Sequence, residues 1–157
     1  MKRILIPLCL VVGSHVASGQ RSYQFEAPDR LFIEGKELFS LKNYPGCIDK
    51  LEAYKQHAKD ADLIQEADYM IVYAAYEQGR PNADELLKDY LEDYPASRHS
   101  DEVNFLIGSI HFERGEYQKA IFWFNESDID MLSPEQQEAY SFRLAYSLLQ
   151  TGEMDKA

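Results

Sequence analysis

The chain has 157 residues, of which 45% are hydrophobic and 13% aromatic, and its net charge at pH 7 is −11. Disordered chains are poor in aromatic residues, so this composition predicts a folded protein, and the length suits one domain or a short run of repeats. The acidic surplus argues against nucleic acid as a partner, because binding to phosphates needs a surplus of Lys and Arg.

Residues 1–19 have the features of a secretory signal peptide. A positive Met-Lys-Arg start precedes an apolar stretch at residues 4–12 and a small-residue cleavage site, Ala-Ser-Gly, at residues 17–19. The apolar stretch is much shorter than the roughly twenty residues that cross a bilayer, so no integral membrane span is expected. We therefore predict an exported protein of the periplasm or cell envelope, with residues 20–28 as a short linker.

The two cysteines differ in their predicted roles. Cys9 is poorly suited to lipid attachment, because it follows Leu8 inside the apolar stretch and not a small residue. Removal of the signal peptide leaves Cys47 as the only thiol of the exported chain, so no intramolecular disulfide can form. We expect Cys47 to be a buried, unreactive thiol.

Hydrophobic periodicity predicts seven helices in the remaining chain. They cover residues 29–41, 44–58, 61–78, 82–93, 99–114, 116–127 and 134–151, and an eighth begins at Glu153. Ser133, Pro134 and Gln136 form a strong helix start with a capping box, and Asn82 gives a weaker one. Because alternation typical of a strand is lacking, we expect an all-α fold of antiparallel helix pairs.

Two columns of residues recur at intervals of 36 or 37 positions. The first column stands where helices are expected to end, in a slot that favours glycine, and consists of Lys42, Gly79, Gly115 and Gly152. The second column holds a small or slim residue seven positions earlier, namely Gly35, Val72, Gly108 and Ala145. Recurrence at this interval indicates a helical repeat array.

These columns resemble the tetratricopeptide repeat (TPR), whose pattern is W-x2-L-G-x2-Y followed by A-x3-F. The best match lies at residues 104–124, with Gly108 at the L-G step, Gly115 at the turn, and Ala120 and Phe124 at the A-x3-F step. The long repeats are similar to those of bacterial envelope proteins of the outer-membrane-assembly and Tol-Pal-associated type. The resemblance implies a right-handed α-solenoid with repeats at residues 29–59, 60–96 and 97–133 and a truncated one at 134–157.

The resemblance also implies a concave groove, lined by the first helix of each repeat, that binds a peptide or another protein of the cell envelope. The family's groove positions correspond here to Phe32, Lys36, Phe39, Tyr69, Tyr73, Tyr76, Phe105, Ser109, Phe112, Phe142, Tyr146 and Leu149. Residues at this helical spacing can equally form the buried face of a helix, so packing in the core is the alternative interpretation of these positions. We favour packing roles for the five phenylalanines and a surface role for Tyr73 and Tyr146. The Lys and Asn residues that clamp a peptide's terminal carboxylate in chaperone-binding relatives are missing.

The sequence offers little for catalysis or cofactor binding. His57, His99 and His111 are isolated, without the spacing of metal ligands. A nucleophile elbow and a Gly-rich phosphate loop are also lacking. We therefore expect no cofactor, no metal and no enzymatic activity.

The sequence thus predicts an exported, non-catalytic TPR scaffold that binds an envelope protein. One alternative is a solenoid whose aromatic wall binds glycans. Another is the N-terminal regulatory part of a larger protein whose effector domain follows residue 157. The predicted last complete helix leaves Tyr140, Leu144 and Leu148 without a following helix, so a longer array or self-association through this open end is expected.

Overall fold

The structure is a computed structural model that describes residues 27–152. It contains seven α-helices and one short 3-10 helix, Ile129–Met131, and no strand within this range: α1 Ala27–Ser40, α2 Tyr44–Lys55, α3 Ala61–Glu77, α4 Ala83–Asp93, α5 Ser100–Glu113, α6 Tyr117–Asn125 and α7 Pro134–Thr151. Each helix packs on the next, and the first helices of neighbouring pairs also touch, α1 with α3 and α5 with α7. The prediction of an all-α array of antiparallel helix pairs is confirmed.

Several helix boundaries differ from the predicted ones. Helix α1 starts at Ala27, inside the predicted linker, and α2 ends at Lys55, three residues early. Helix α6 ends at Asn125 because the chain turns towards α5, where the Ser127 hydroxyl donates to the carbonyl of Asp101 at 2.6 Å. The predicted signal peptide at residues 1–19 and the helix start at Glu153 lie outside the described residues.

The helix caps at the two predicted starts behave differently. Ser133 and Gln136 form the full capping box, since each side chain bonds the backbone N–H of the other. Asn82 stands at the N-cap position of α4, so the weaker predicted start is in the right place, but its side chain makes no capping hydrogen bond. Asp60, by contrast, caps α3 by accepting from the backbone N–H groups of Asp62 and Leu63.

The first repeat column has a common backbone conformation. Its four members are the residues of the described range that have a positive φ angle: 56° at Lys42, 62° at Gly79, 72° at Gly115 and 74° at Gly152. Each follows a first helix and turns the chain towards the second helix or, at Gly152, away from α7. Three of the four are glycine because a side chain in this region meets the backbone, so Lys42 is the strained member.

The second column lets the two helices of a pair approach closely. A Cβ atom added to Gly35 would lie 2.5 Å from Leu51, and one added to Gly108 would lie 2.6 Å from Phe124. Leu51 and Phe124 are fully buried and occupy the aromatic step of the repeat pattern. Cys47 is also fully buried, as predicted, and burial raises the pKa of its thiol to about 11.

Candidate functional site: an aromatic strip across four helices

The twelve predicted groove residues lie on the first helices α1, α3, α5 and α7 and differ in accessibility. Four are buried, namely Phe32, Tyr69, Phe105 and Ser109, and four are half-buried, namely Phe39, Tyr73, Tyr76 and Phe112. The exposed ones are Lys36, Phe142, Tyr146 and Leu149. We call these twelve residues the aromatic strip. Its four buried members are covered by other residues, whereas the other eight present surface that another molecule can contact.

Ring contacts join these residues across neighbouring helix pairs. The ring centroids of Phe39 and Tyr73 are 5.2 Å apart, and Tyr73 is 6.5 Å from Tyr76 on the same helix. At the other end, the centroids of Phe112 and Tyr146 are 5.7 Å apart. These are edge contacts in the distance range that aromatic pairs favour. The predicted residues therefore form two ring clusters, which join α1 with α3 and α5 with α7.

Arg143 connects the two clusters and is not among the groove residues that the sequence predicts. Its guanidinium lies 5.8 Å from the centroids of both Phe105 and Phe112, a distance typical of a cation–π contact. Its positive charge also acts on Tyr76, on α3, where it partly offsets the rise in the hydroxyl's pKa that burial causes. Through Arg143 the aromatic residues of α3, α5 and α7 become one continuous strip.

A polar network under the strip fixes Tyr69. The Tyr69 hydroxyl donates to Glu102, and Glu102 accepts a second hydrogen bond, at 2.5 Å, from the side-chain amide of Gln136. The Tyr69 ring stacks on His99 with 3.6 Å between centroids. Burial, together with the nearby Glu102 carboxylate, raises the pKa of Tyr69. Tyr69 thus holds successive first helices together and is not an accessible contact residue.

A pocket of about 480 Å³ opens at the α1 end of the strip. Phe32 and Lys36, both predicted, line one side, and the remaining lining residues are Asp62, Leu63, Gln65, Glu66, Arg98 and His99. Arg98 donates to Glu66 at 2.6 Å, and the ring of His99 lies 3.1 Å from the same carboxylate oxygen. Burial raises the pKa of Glu66, but the hydrogen bonds from His99 and Arg98 outweigh it and leave the pKa below its usual value.

Glu66, Arg98 and His99 were not predicted as site residues, although His99 was considered as a metal ligand. In the part of the chain that the structure describes, no cluster of His, Cys, Asp and Glu could hold a metal ion. Glu66 and His99 are 33 residues apart, which is shorter than the repeat interval of 36 or 37, so the repeat pattern does not pair them. Of the described helices, none is long and apolar enough to cross a membrane.

Comparison with known proteins identifies the family. The model of the YfiO family, described as outer membrane lipoprotein, matches residues 26–114, which is more than half of the chain. The chain belongs to the YfiO family. The match runs from the start of α1 to the end of α5, so it includes the pocket and the ring cluster between α1 and α3. Neither the curated proteins nor the solved structures that were searched gave a match.

Membership of the YfiO family confirms the predicted resemblance to TPR proteins of the bacterial envelope. It also indicates an envelope location. The family description concerns lipoproteins, whereas the sequence argued against lipid attachment at Cys9. Cys9 lies outside the described residues.

Proposed function

We propose that this YfiO-family chain is a non-catalytic scaffold that binds a peptide or helix of another envelope protein along the aromatic strip. The observation that carries the proposal is the continuity of the strip, which crosses four first helices through ring contacts and Arg143. Half-buried Tyr and Phe rings offer a large contact area at a small cost in side-chain entropy. The strip therefore suits recognition of a side-chain row on an extended or helical segment.

Site-specific crosslinking in the native envelope tests this proposal. Phe142 and Phe122 form a matched pair, because both are phenylalanines with more than half of their surface exposed, at 64% and 56%. Phe142 belongs to the strip, whereas Phe122 lies on the second helix α6. A photoreactive phenylalanine at position 142 is expected to give discrete crosslinked bands that the same group at position 122 does not give. Identical band patterns from the two positions would contradict the proposal.

A substitution experiment complements the crosslinks. Tyr73 and Tyr146 are accessible, so replacing both by alanine removes contact area from each ring cluster while Tyr69 keeps the network beneath. We expect the crosslinks from position 142 to weaken at least fivefold, with an unchanged helical circular-dichroism spectrum. Unchanged crosslinks from the double variant would show that the partner contacts another surface.

We further propose that the chain is exported by the signal peptide at residues 1–19. A positive start, an apolar stretch and a small-residue cleavage site support this proposal. Mass spectrometry of the mature protein is expected to give an N-terminus between Ser18 and Gln20. A mature protein that starts with a lipid-modified Cys9 would overturn it.

A further inference from the structure

Two groups of aromatic rings occupy equivalent positions in the helix array. The first niche consists of Phe39, Tyr44 and Tyr73, and the second niche consists of Phe112, Tyr117 and Tyr146. Each residue of the second niche follows its counterpart by 73 positions, which is two repeats. The distances also correspond: the first two rings are 6.2 Å apart in one niche and 6.0 Å in the other. The outer pairs, Phe39–Tyr73 and Phe112–Tyr146, are separated by 5.2 Å and 5.7 Å.

One ring of the second niche already contacts a cation of the same chain. Arg143 lies 5.8 Å from the ring centroid of Phe112, and its charge is balanced by Glu113 at 3.7 Å. The rings of this niche therefore already form part of a cation–π site with a carboxylate beside it. Of the Lys and Arg side chains in the described range, none lies over Phe39, Tyr44 or Tyr73.

The first niche has a carboxylate to which the described residues supply no cation. The hydroxyl of Tyr44 donates to Glu77 at 3.3 Å, and no salt bridge to the exposed Glu77 is found among residues 29–152. Burial contributes most to the raised pKa of both Tyr44 and Tyr73. The negative charge of Glu77 contributes next, so this charge acts on both hydroxyls. The counterpart of Glu77 beside the second niche is the neutral Gln150.

We propose that the first niche binds a lysine or arginine side chain of the partner segment. The alkyl part and cationic head of that side chain lie against the half-buried rings of Phe39 and Tyr73, and the charge pairs with Glu77. The proposal rests on the proposed function, since it names the chemistry of one contact in the same strip. Charge complementarity carries it, because the niche combines aromatic faces with an anion, Glu77, that is hydrogen-bonded to a neutral hydroxyl.

The probe that tests this proposal is n-butylammonium, which reproduces the end of a lysine side chain. The protein, containing tyrosine with ¹³C-labelled rings, is titrated with n-butylammonium chloride and, separately, with n-butanol, which has the same carbon chain without the charge. We expect the ring signals of Tyr44 and Tyr73 to shift with saturable binding at least five times tighter for n-butylammonium than for n-butanol. Signals of Tyr117 and Tyr146 are expected to move much less, since Arg143 already lies over Phe112 of their niche and the counterpart of Glu77 is neutral.

Variants separate the carboxylate from overall charge. Glu77→Gln is expected to weaken n-butylammonium binding at least fivefold, whereas Glu92→Gln, which removes an exposed charge from α4, is expected to change it less than twofold. Equal shifts in both niches, no saturable shift, or equal effects of the two variants would overturn the proposal. The crosslinks from position 142 report on the groove independently, so their persistence after such a result would leave the proposed function standing.

Discussion

The two aromatic niches share one ring arrangement and differ in the charged groups around it. At the second niche, Arg143 from α7 lies over Phe112 and pairs with Glu113 of α5. The protein itself therefore supplies both the cation and the carboxylate. In the first niche, Glu77 is present and the described residues supply no cation. The repeat thus fixes the position of the rings, and single substitutions around them decide which charged groups the protein itself supplies.

Each niche rests on a helix pair held together by one small and one large residue. Under the first niche Gly35 faces Leu51, and under the second Gly108 faces Phe124. Phe124→Ala is expected to give the largest effect, a loss of about 3–5 kcal/mol in the free energy of unfolding, because it leaves a cavity in a fully buried site. Leu51→Ala should cost about 2–4 kcal/mol for the same reason.

Urea denaturation followed by circular dichroism measures these losses. Phe122→Ala is the control for the second pair, since this side chain is exposed and its removal should change stability by less than about 0.5 kcal/mol. Equal effects of Phe124→Ala and Phe122→Ala would show that the close contact with Gly108 does not hold this pair together.

A single methyl group added to the glycine of each helix pair should destabilise the two pairs to different extents. The new Cβ in Gly108→Ala would lie 2.6 Å from the Phe124 ring, which is rigid and cannot yield without moving the helix. We expect a loss of about 1–3 kcal/mol. In Gly35→Ala the obstacle is the branched end of Leu51, which can rotate, and alanine also favours the helix, so the loss should be about 1 kcal/mol or less. A larger loss at Gly35, measured by urea denaturation, would contradict this reasoning.

Between the niches, an ion pair connects α4 to the end of α5. Arg114 donates to Asp84 at 3.0 Å, and this hydrogen bond lowers the pKa of Asp84 to about 2. Because the folded-state pKa lies below the unfolded value of about 3.9, the stabilisation is present above about pH 4 and is lost as the pH falls towards 2. It should amount to about 1 kcal/mol or less, since Arg114 is partly exposed.

Comparing wild type with Asp84→Asn checks the pH dependence. The difference between their free energies of unfolding, measured in urea at pH 7 and at pH 2.5, should shrink at the lower pH. Asp89→Asn, an exposed position on the same helix, is the control and should leave the dependence unchanged. A constant difference between Asp84→Asn and wild type across this range would contradict the assigned cause.

The sequence predicted those features that repeat and missed those that depend on contacts between repeats. The column of Lys42 and Gly115 anticipated the positive φ angles, because a helix-ending turn leaves a local pattern. Arg143 could not be placed over Phe112 from its sequence, since that contact depends on how α5 and α7 pack. Tyr44 and Tyr117 lie on second helices, outside the first-helix positions that the family resemblance assigns to the groove, although their spacing of 73 residues is visible in the sequence.

A last comparison concerns the turns that lead into Tyr44 and Tyr117. The two turns have the same handedness, with φ of 56° at Lys42 and 72° at Gly115, but only glycine adopts this conformation without strain. Lys42→Gly should therefore relieve strain while adding freedom to the unfolded chain, for a net gain of about 0.5 kcal/mol. Gly115→Ala should lose about 1 kcal/mol, because nothing lies near its side chain to offset the strain. In thermal unfolding, Tm should rise for Lys42→Gly and fall for Gly115→Ala. A fall in both variants would show that contacts of the Lys42 side chain offset the strain of its backbone.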